Sequence, residues 1–373
     1  MAEDNKKKKK ALKIRYRGRV SQIGIYFVKF LRTFVYQSDW KVLPMAALIA
    51  GLVAFVMGRT YLKTMEGTMT GTFALVCVCI WNGCFNSIQV ICREREVIKR
   101  EHRSGMHISS YIVSHMMYQF LLCLCQTIIT LLVTKEVGMH YPDEGFFTNW
   151  ILLDFGITIF LITYAADMMS LFISAISHTP TTAMTIMPFV LVFQLIFSGG
   201  IIPIPQIAAP IANLTISSPG FKAMAAQADV NSRRYATVSR MLIKMEDEEF
   251  EVEVTAGQIL DLLEKKNTTA DTGSSEDVSV SEFIKYLSKD EIRQQYENEK
   301  IPIRMTVGEL MDLVGKEKAK EMIDDAARKA NYKPVYDHSK WNIIQNWLHL
   351  LVFIMIFSSL SIIILEFIDK DKR

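Results

Sequence analysis

The chain has 373 residues, half of them hydrophobic, with a mean hydropathy of +0.19 and a formal net charge of +3 at pH 7. Its apolarity is clumped into long uncharged runs, which excludes an ordinary soluble domain and argues for bilayer spans. The small net charge hides an asymmetry: Met1 to Arg32 is basic, with Lys6 to Lys10 unbroken, whereas Glu246 to Asp337 is acidic overall.

In chain order, residues 1–20 read as a basic disordered tail whose lysines favour anionic lipid. Residues 21–40 hold an amphipathic helix, with Ile23, Phe27, Phe30, Leu31 and Phe34 on one face and Lys29, Arg32 and Thr33 elsewhere. Six transmembrane helices are expected: Val42 to Tyr61, Thr70 to Ile91, Ile108 to Thr134, Trp150 to Ile176, Ala183 to Ile202 and Trp341 to Phe367. The first five fall within residues 41–230, and the sixth, with a basic tail, within 335–373. No cleavable signal precedes them.

Lysine and arginine set the orientation. They crowd the N-terminal segment, the loop Arg93 to Arg103 and the tail Lys370 to Arg373, while the loop after the third span has only Lys135. Both termini are therefore expected in the cytoplasm of a multi-pass cell-membrane protein, and the segment 231–334 outside. There, hydroxyl-to-Glu/Gln capping boxes begin at Thr255, Ser279 and Thr306, and alternating runs at Phe250 to Val254 and Ile301 to Met305 read as strands. Leu260, Leu263, Phe283, Leu287, Leu310 and Leu313 supply a core, so a small α/β extracellular domain is expected, with Asn267 to Asp277 as a polar loop. All six cysteines lie in or at the ends of spans, which leaves the outer segment without a disulfide framework.

Catalytic patterns are missing. The sequence has no Gly-rich phosphate loop, no His-Glu-x-x-His and no Gly-x-Ser-x-Gly. Asp154 and Asp167 share the fourth span but lie about 20 Å apart along a helix, too far to act as a pair, so a structural role is expected for each. No catalytic residue, metal ligand or bound cofactor is assigned to this chain, and no nucleic-acid partner. The second span carries Asn82, Asn86 and Gln89 at steps of four and three, which puts three amides on one helix face. They either hydrogen-bond across a helix interface or line a water-filled path.

The order of these elements resembles the type-2 ABC permease family, and within it the transmembrane domain of G-subfamily ABC exporters. Three stretches carry the resemblance. Arg93-Glu-Arg-Glu-Val-Ile-Lys-Arg-Glu-His-Arg-Ser-Gly-Met106 with Ser109-Ser-Tyr111 is similar to the family's coupling-helix segment. Ala165 to Ser177 is similar to the end of its fourth span. Phe197-Ser-Gly-Gly-Ile-Ile-Pro-Ile-Pro-Gln206, followed by Ser217-Ser-Pro219, is similar to its fifth-span exit and outer re-entrant segment.

The resemblance implies a dimeric export permease, a homodimer or a heterodimer with a related chain. Its coupling helix, 93–105, would meet an ABC ATPase subunit through Glu94, Glu96, Arg100 and Glu101; otherwise those charges form a solvated cap between two spans. It also implies a substrate path between spans two and five, lined by Asn82, Asn86, Gln89, Phe193, Gln194 and Phe197. Two departures stand out. The family usually carries its nucleotide-binding domain on the same chain ahead of the first span, so ATP and Mg are expected in a separate partner subunit and ATPase activity is not expected here. The outer segment is also longer than the family's, which leaves open a membrane-anchored receptor or signalling protein whose outer domain binds a ligand or cell-wall component.

Overall fold

The computed structural model describes residues 18–36, 39–139, 141, 145–148, 150–200, 204–244, 249–255, 300–306, 311 and 316–367. The basic tail up to residue 17, the helix starts after Thr255, at Ser279 and after Thr306, the core leucines and Phe283 of the acidic segment and the tail after Phe367 lie outside them. The chain divides into two units, residues 1–233 with 333–373, and residues 234–332.

The first unit is helical. Its amphipathic α1 is Arg19–Tyr36, where Phe30 is buried and Ile23, Phe27, Leu31 and Phe34 are half-buried. Apolar α2, Val42–Met57, buries Ala46, Ala50 and Ala54, a small-residue seam at steps of four that lets it lie close against α5. Thr64 caps α3, Met65–Ser87, by accepting from Gly67 N at 3.2 Å. Polar α4, Val90–Arg103, follows after two residues, so the apolar and charged segments run almost without a break. Next come α5, Ile108–Val137, and α6, Ile151–Ile176. Thr179 accepts from Thr182 N at 3.2 Å to start α7, Pro180–Ile196, with Pro180 in the first turn where no N–H is missed.

The short α8, Ala209–Ala212, leads to α9, Ser217–Gln227, which is buried at every residue except Lys222. Ser339 caps the final α12, Lys340–Glu366.

Among the described residues four helices are long and apolar enough to cross a membrane: α3 running on into α4, then α5, α6 and α12. The shorter apolar α2 and α7 have 16 and 17 residues, roughly 25 Å each against a hydrocarbon core of about 30 Å. The expected first and fifth spans thus end early, at Met57 and Ile196. A left-handed Leu62 turns the chain after α2, and Gly199, at φ 79°, turns it after α7.

At the centre α3 lies against α6. A Cβ at Gly83 would fall 2.1 Å from Thr163 O and 2.9 Å from Asp167 N, so the crossing exists only because position 83 lacks a side chain.

In the second unit, α10 (Ala236–Lys244) packs on α11 (Lys316–Ala330), and Tyr235 N donates to Asp324 Oδ1 at 3.0 Å. Strands β1 (Glu249–Thr255) and β2 (Lys300–Thr306) pair antiparallel, with Phe250 opposite Met305, Val252 opposite Ile303 and Val254 opposite Ile301.

Candidate coupling and transport surfaces

The charged helix α4 is held on three sides. Its first-turn N–H groups have no partner within the helix, and Gln89, the residue ahead of it, makes no side-chain cap. Ser174 of α6 supplies the acceptor instead: Ile91 N and Cys92 N donate to its Oγ at 3.1 and 3.2 Å. The exchange is mutual. Arg95 of α4 donates to Ala175 O and Ser177 O at 2.9 and 3.3 Å, satisfying carbonyls at the C-terminal end of α6 where a cation is favoured.

The second side faces α1. Tyr26 donates its hydroxyl to Glu101 Oε2 at 3.0 Å, and Lys29 Nζ lies 3.7 Å from Glu101 and 4.0 Å from Glu94. Burial and the Glu101 carboxylate hold the Tyr26 phenol well above its ordinary pKa, so it stays a donor. Gln22 of α1 bridges the turn after α4, donating to Gly105 O at 3.1 Å and accepting from His107 N at 2.9 Å. The third side is α5: Tyr111 donates to Glu94 Oε2 at 3.4 Å. Hydroxyls of Ser110 and Ser114 donate to Arg19 O and Ile23 O at 3.1 and 2.9 Å, fastening α1 to α5.

The four charges of the expected coupling site therefore divide. Glu94 and Glu101 are half-buried and turned toward α1 and α5, whereas Glu96 and Arg100 are exposed. Arg93, Glu96, Arg100 and Arg103, at steps of three, four and three, make one exposed stripe along α4. Lys29, read in the sequence as lying off the apolar face of the amphipathic helix, meets the two inward carboxylates.

A second assembly sits at the other end of the bundle. Gln194 of α7 caps α9 from outside, its Oε1 accepting from Ile216 N and Ser217 N at 2.9 and 3.0 Å. At the far end of α9, Gln227 Oε1 accepts from Thr158 at 2.8 Å and its Nε2 donates to Asp154 O at 3.0 Å. Trp347 of α12 donates to the same Thr158 hydroxyl at 2.8 Å. The buried α9 is thereby tied to α6, α7 and α12 at both ends.

A family model described as "ABC-2 type transporter" matches residues 23–225, more than half of the chain. The chain belongs to the ABC-2 type transporter family. An ABC transporter ATP-binding/permease protein of Mycobacterium tuberculosis is 26% identical over 155 residues, which cover 40% of this chain and 18% of that protein. The chain thus spans under a fifth of that relative's length. The family is a transmembrane component of ABC transporters, and this ABC-2 chain is a multi-pass membrane protein.

The residues expected on the permease's substrate path are spread over three places. Asn82 is buried beside a shallow hollow with Trp81, Phe85 and Met45. Asn86 pairs both ways with Gln126 of α5, donating at 2.9 Å and accepting at 3.0 Å. Asn86 and Gln89 also line a partly open cavity between α1, α3 and α5. Gln194 is buried under α9, while Phe193 is exposed and Phe197 half-exposed, their rings 4.7 Å apart.

Both acids of α6 have local partners. Asp154 accepts from Phe146 N, Phe147 N and the Thr148 hydroxyl at 2.7–3.0 Å, closing the loop ahead of α6. Asp167 accepts from the Ser87 hydroxyl, which accepts from Gln119 Nε2 at 2.7 Å.

Sequence reading missed Ser174, Gln22, Tyr26 and Gln227 as anchors. The only local signal was the polar line Gln22, Tyr26 and Lys29 at steps of four and three on α1.

Proposed function

We propose that this chain is the permease half of an ABC exporter, working as a homodimer or with a related permease and driven by ATP and Mg held in separate ATPase subunits. The observation that carries the reading is the exposed stripe Arg93, Glu96, Arg100 and Arg103 on a helix whose remaining sides are fastened to α1, α5 and α6. A rigidly mounted charged stripe passes a push at its surface directly to α3, which continues it, and to α6, which caps it. Partly desolvated charge pairs at such a contact are worth up to a few kcal/mol and give the partner its register.

In this proposal α2, α3, α5, α6, α7 and α12 all cross the bilayer. Both termini and α4 lie in the cytoplasm, the unit 234–332 lies outside, and membrane lipid covers the exposed apolar residues Ile25, Val28 and Val35 of α1. Substrate passes the exposed Phe193 ring and the half-exposed Phe197 ring of α7 and the Asn82 hollow of α3, with Asn86, Gln89 and Gln194 supporting those helices from behind. Rings beside amides suit an amphipathic substrate.

The test is purification of the tagged chain from its native membrane in mild detergent, with the ATPase activity of whatever accompanies it measured. The expected result is a stable complex with Mg-dependent ATP hydrolysis that the Glu96→Arg chain fails to form. A chain that remains alone and shows no ATPase association would defeat the reading. Orientation is checked separately with single cysteines at Asn5 and Ser274 in a background without native cysteines. An impermeant thiol reagent should reach position 274 from outside and not position 5.

A further inference from the structure

Between α1, the α3–α4 junction and α5 lies a cavity of about 270 Å³. Phe30 and Phe34 of α1, Phe85 of α3 and Tyr118 of α5 form its aromatic walls. Two polar side chains on the lining, His115 and Gln119, are each 1% exposed. Among the described residues His115 Nδ1 and Gln119 Oε1 have no hydrogen-bond partner, although Gln119 Nε2 donates to Ser87. Buried polar atoms are rarely left unpaired, because each has given up its water. Two such side chains on one lining point to an occupant that pairs with them after a small rotation of the ring and the amide.

The charged residues on the lining differ in their commitments. Glu94 is engaged by Tyr111 and lies 4.0 Å from Lys29. Arg93 lines the same cavity and is exposed, which puts a cation at its mouth. Rings, an exposed cation and a buried amide thus share one lining.

We infer that this cavity binds, within a single copy of the chain, an anionic amphiphile carrying a hydrogen-bond donor: the rings hold its apolar body, Arg93 faces its charge and Gln119 Oε1 accepts from its donor. His115 Nδ1 takes either role according to its tautomer. The ligand touches Phe30 and Phe34 of α1, Gln89 and Val90 at the start of α4, and α5 at once, so its occupancy stiffens the mounting of α4. The cavity shares Val42 and Phe85 with the Asn82 hollow but is walled on its other sides by α1 and α5, and its test reads binding rather than transport.

The probe is anilinonaphthalene sulfonate, an anion with an apolar ring body and one N–H. It is titrated into the full chain in zwitterionic lipid nanodiscs, with empty nanodiscs subtracted. The expected result is saturable binding of one probe per chain. Arg93→Gln, at an exposed position, should weaken it about tenfold with an unchanged melting temperature. Thr33→Trp, which fills the cavity from α1, should abolish it, and Gln119→Leu should weaken it even in preparations that melt like the unaltered chain. Lysophosphatidylglycerol, an anionic lipid with hydroxyl donors, separates the sources. Displacement of the probe by it places the natural ligand in the bilayer, and saturable binding that it does not displace places the ligand in the aqueous phase. Non-saturable binding, or equal binding by all three variants, means that water alone fills the cavity and overturns the inference.

Discussion

The Ser174 hydroxyl lies 3.2 Å from the backbone N–H of Cys92, so the first turn of the charged helix is capped by a side chain from another helix. Ile91 N shares the same oxygen at 3.1 Å, and Ser174 is wholly buried. Ser174→Ala leaves two buried N–H groups without an acceptor, at a cost of about 1–3 kcal/mol. The altered chain should melt several degrees lower, and ATP hydrolysis in the complex should lose its dependence on substrate. Ser174→Thr keeps the hydroxyl and should behave closer to the original. Thermal unfolding of the three chains in one detergent checks this, and equal melting points would refute the cap.

The charges of α4 should separate into two classes by experiment. Glu96→Arg and Arg100→Glu alter only the exposed stripe, so they should leave the melting temperature unchanged while weakening association with the ATPase subunit about tenfold or more. Glu101→Arg instead brings a cation against Lys29 and removes the acceptor of the Tyr26 hydroxyl. It should destabilise the chain by about 1–3 kcal/mol before any effect on the partner is counted. Unaltered stability in Glu101→Arg alongside lost stability in Glu96→Arg would reverse the assignment of the two faces.

Gln194 joins the fifth apolar helix to the buried α9 through two accepted backbone N–H bonds. Gln194→Leu should lower stability by about 1–3 kcal/mol and abolish transport. Gln194→Glu restores the acceptor and sets a negative charge at a helix N-terminus, where it is favoured, so it should recover part of the loss. Phe193→Ala, on the exposed side of the same helix, should change substrate selectivity with little change in melting. The comparison needs one transport assay and one melting series; a Leu variant as stable as the original chain would dismiss the capping role.

Two glycines should respond in opposite ways to one added methyl group. Gly83→Ala forces a Cβ to within 2.1 Å of the Thr163 carbonyl, and only separation of α3 from α6 relieves it, at a cost of about 1–3 kcal/mol or more. At Gly24, within α1, no atom lies within 4 Å, so Gly24→Ala should stabilise the chain by about 0.5–1 kcal/mol through helix propensity alone. Size-exclusion profiles and melting curves of the two variants check the contrast.

The sequence by itself determined where the long apolar helices lie, because run length and periodicity are local properties, but it did not register α10 or α11. Val42, Ile108 and Ile176 mark helix ends in both readings, and the charged segment after Ile91 is polar by composition alone. The strands fall on the alternating runs at 250–254 and 301–305 for the same reason. The helices α2 and α7 stop at Met57 and Ile196, and the positive-φ turns that follow at Leu62 and Gly199 are not registered by an apolar run.

Only the tertiary structure decided what each helix face meets. The stripe Asn82, Asn86 and Gln89 was legible as a face, but its direction was not. Asn86 is paired with Gln126 of α5, and Gln89 lines a partly open cavity whose other walls are α1 and α5. Glu94 and Glu96 are two residues apart in an equally charged segment, yet one turns toward Lys29 and Tyr111 and the other toward the outside. A helix's own pattern says which of its residues share a side. The rotation that points that side at a neighbour is fixed by contacts between distant segments, such as Gly83 against Thr163 and Ser174 against Cys92, and those contacts exist only once the helices have packed.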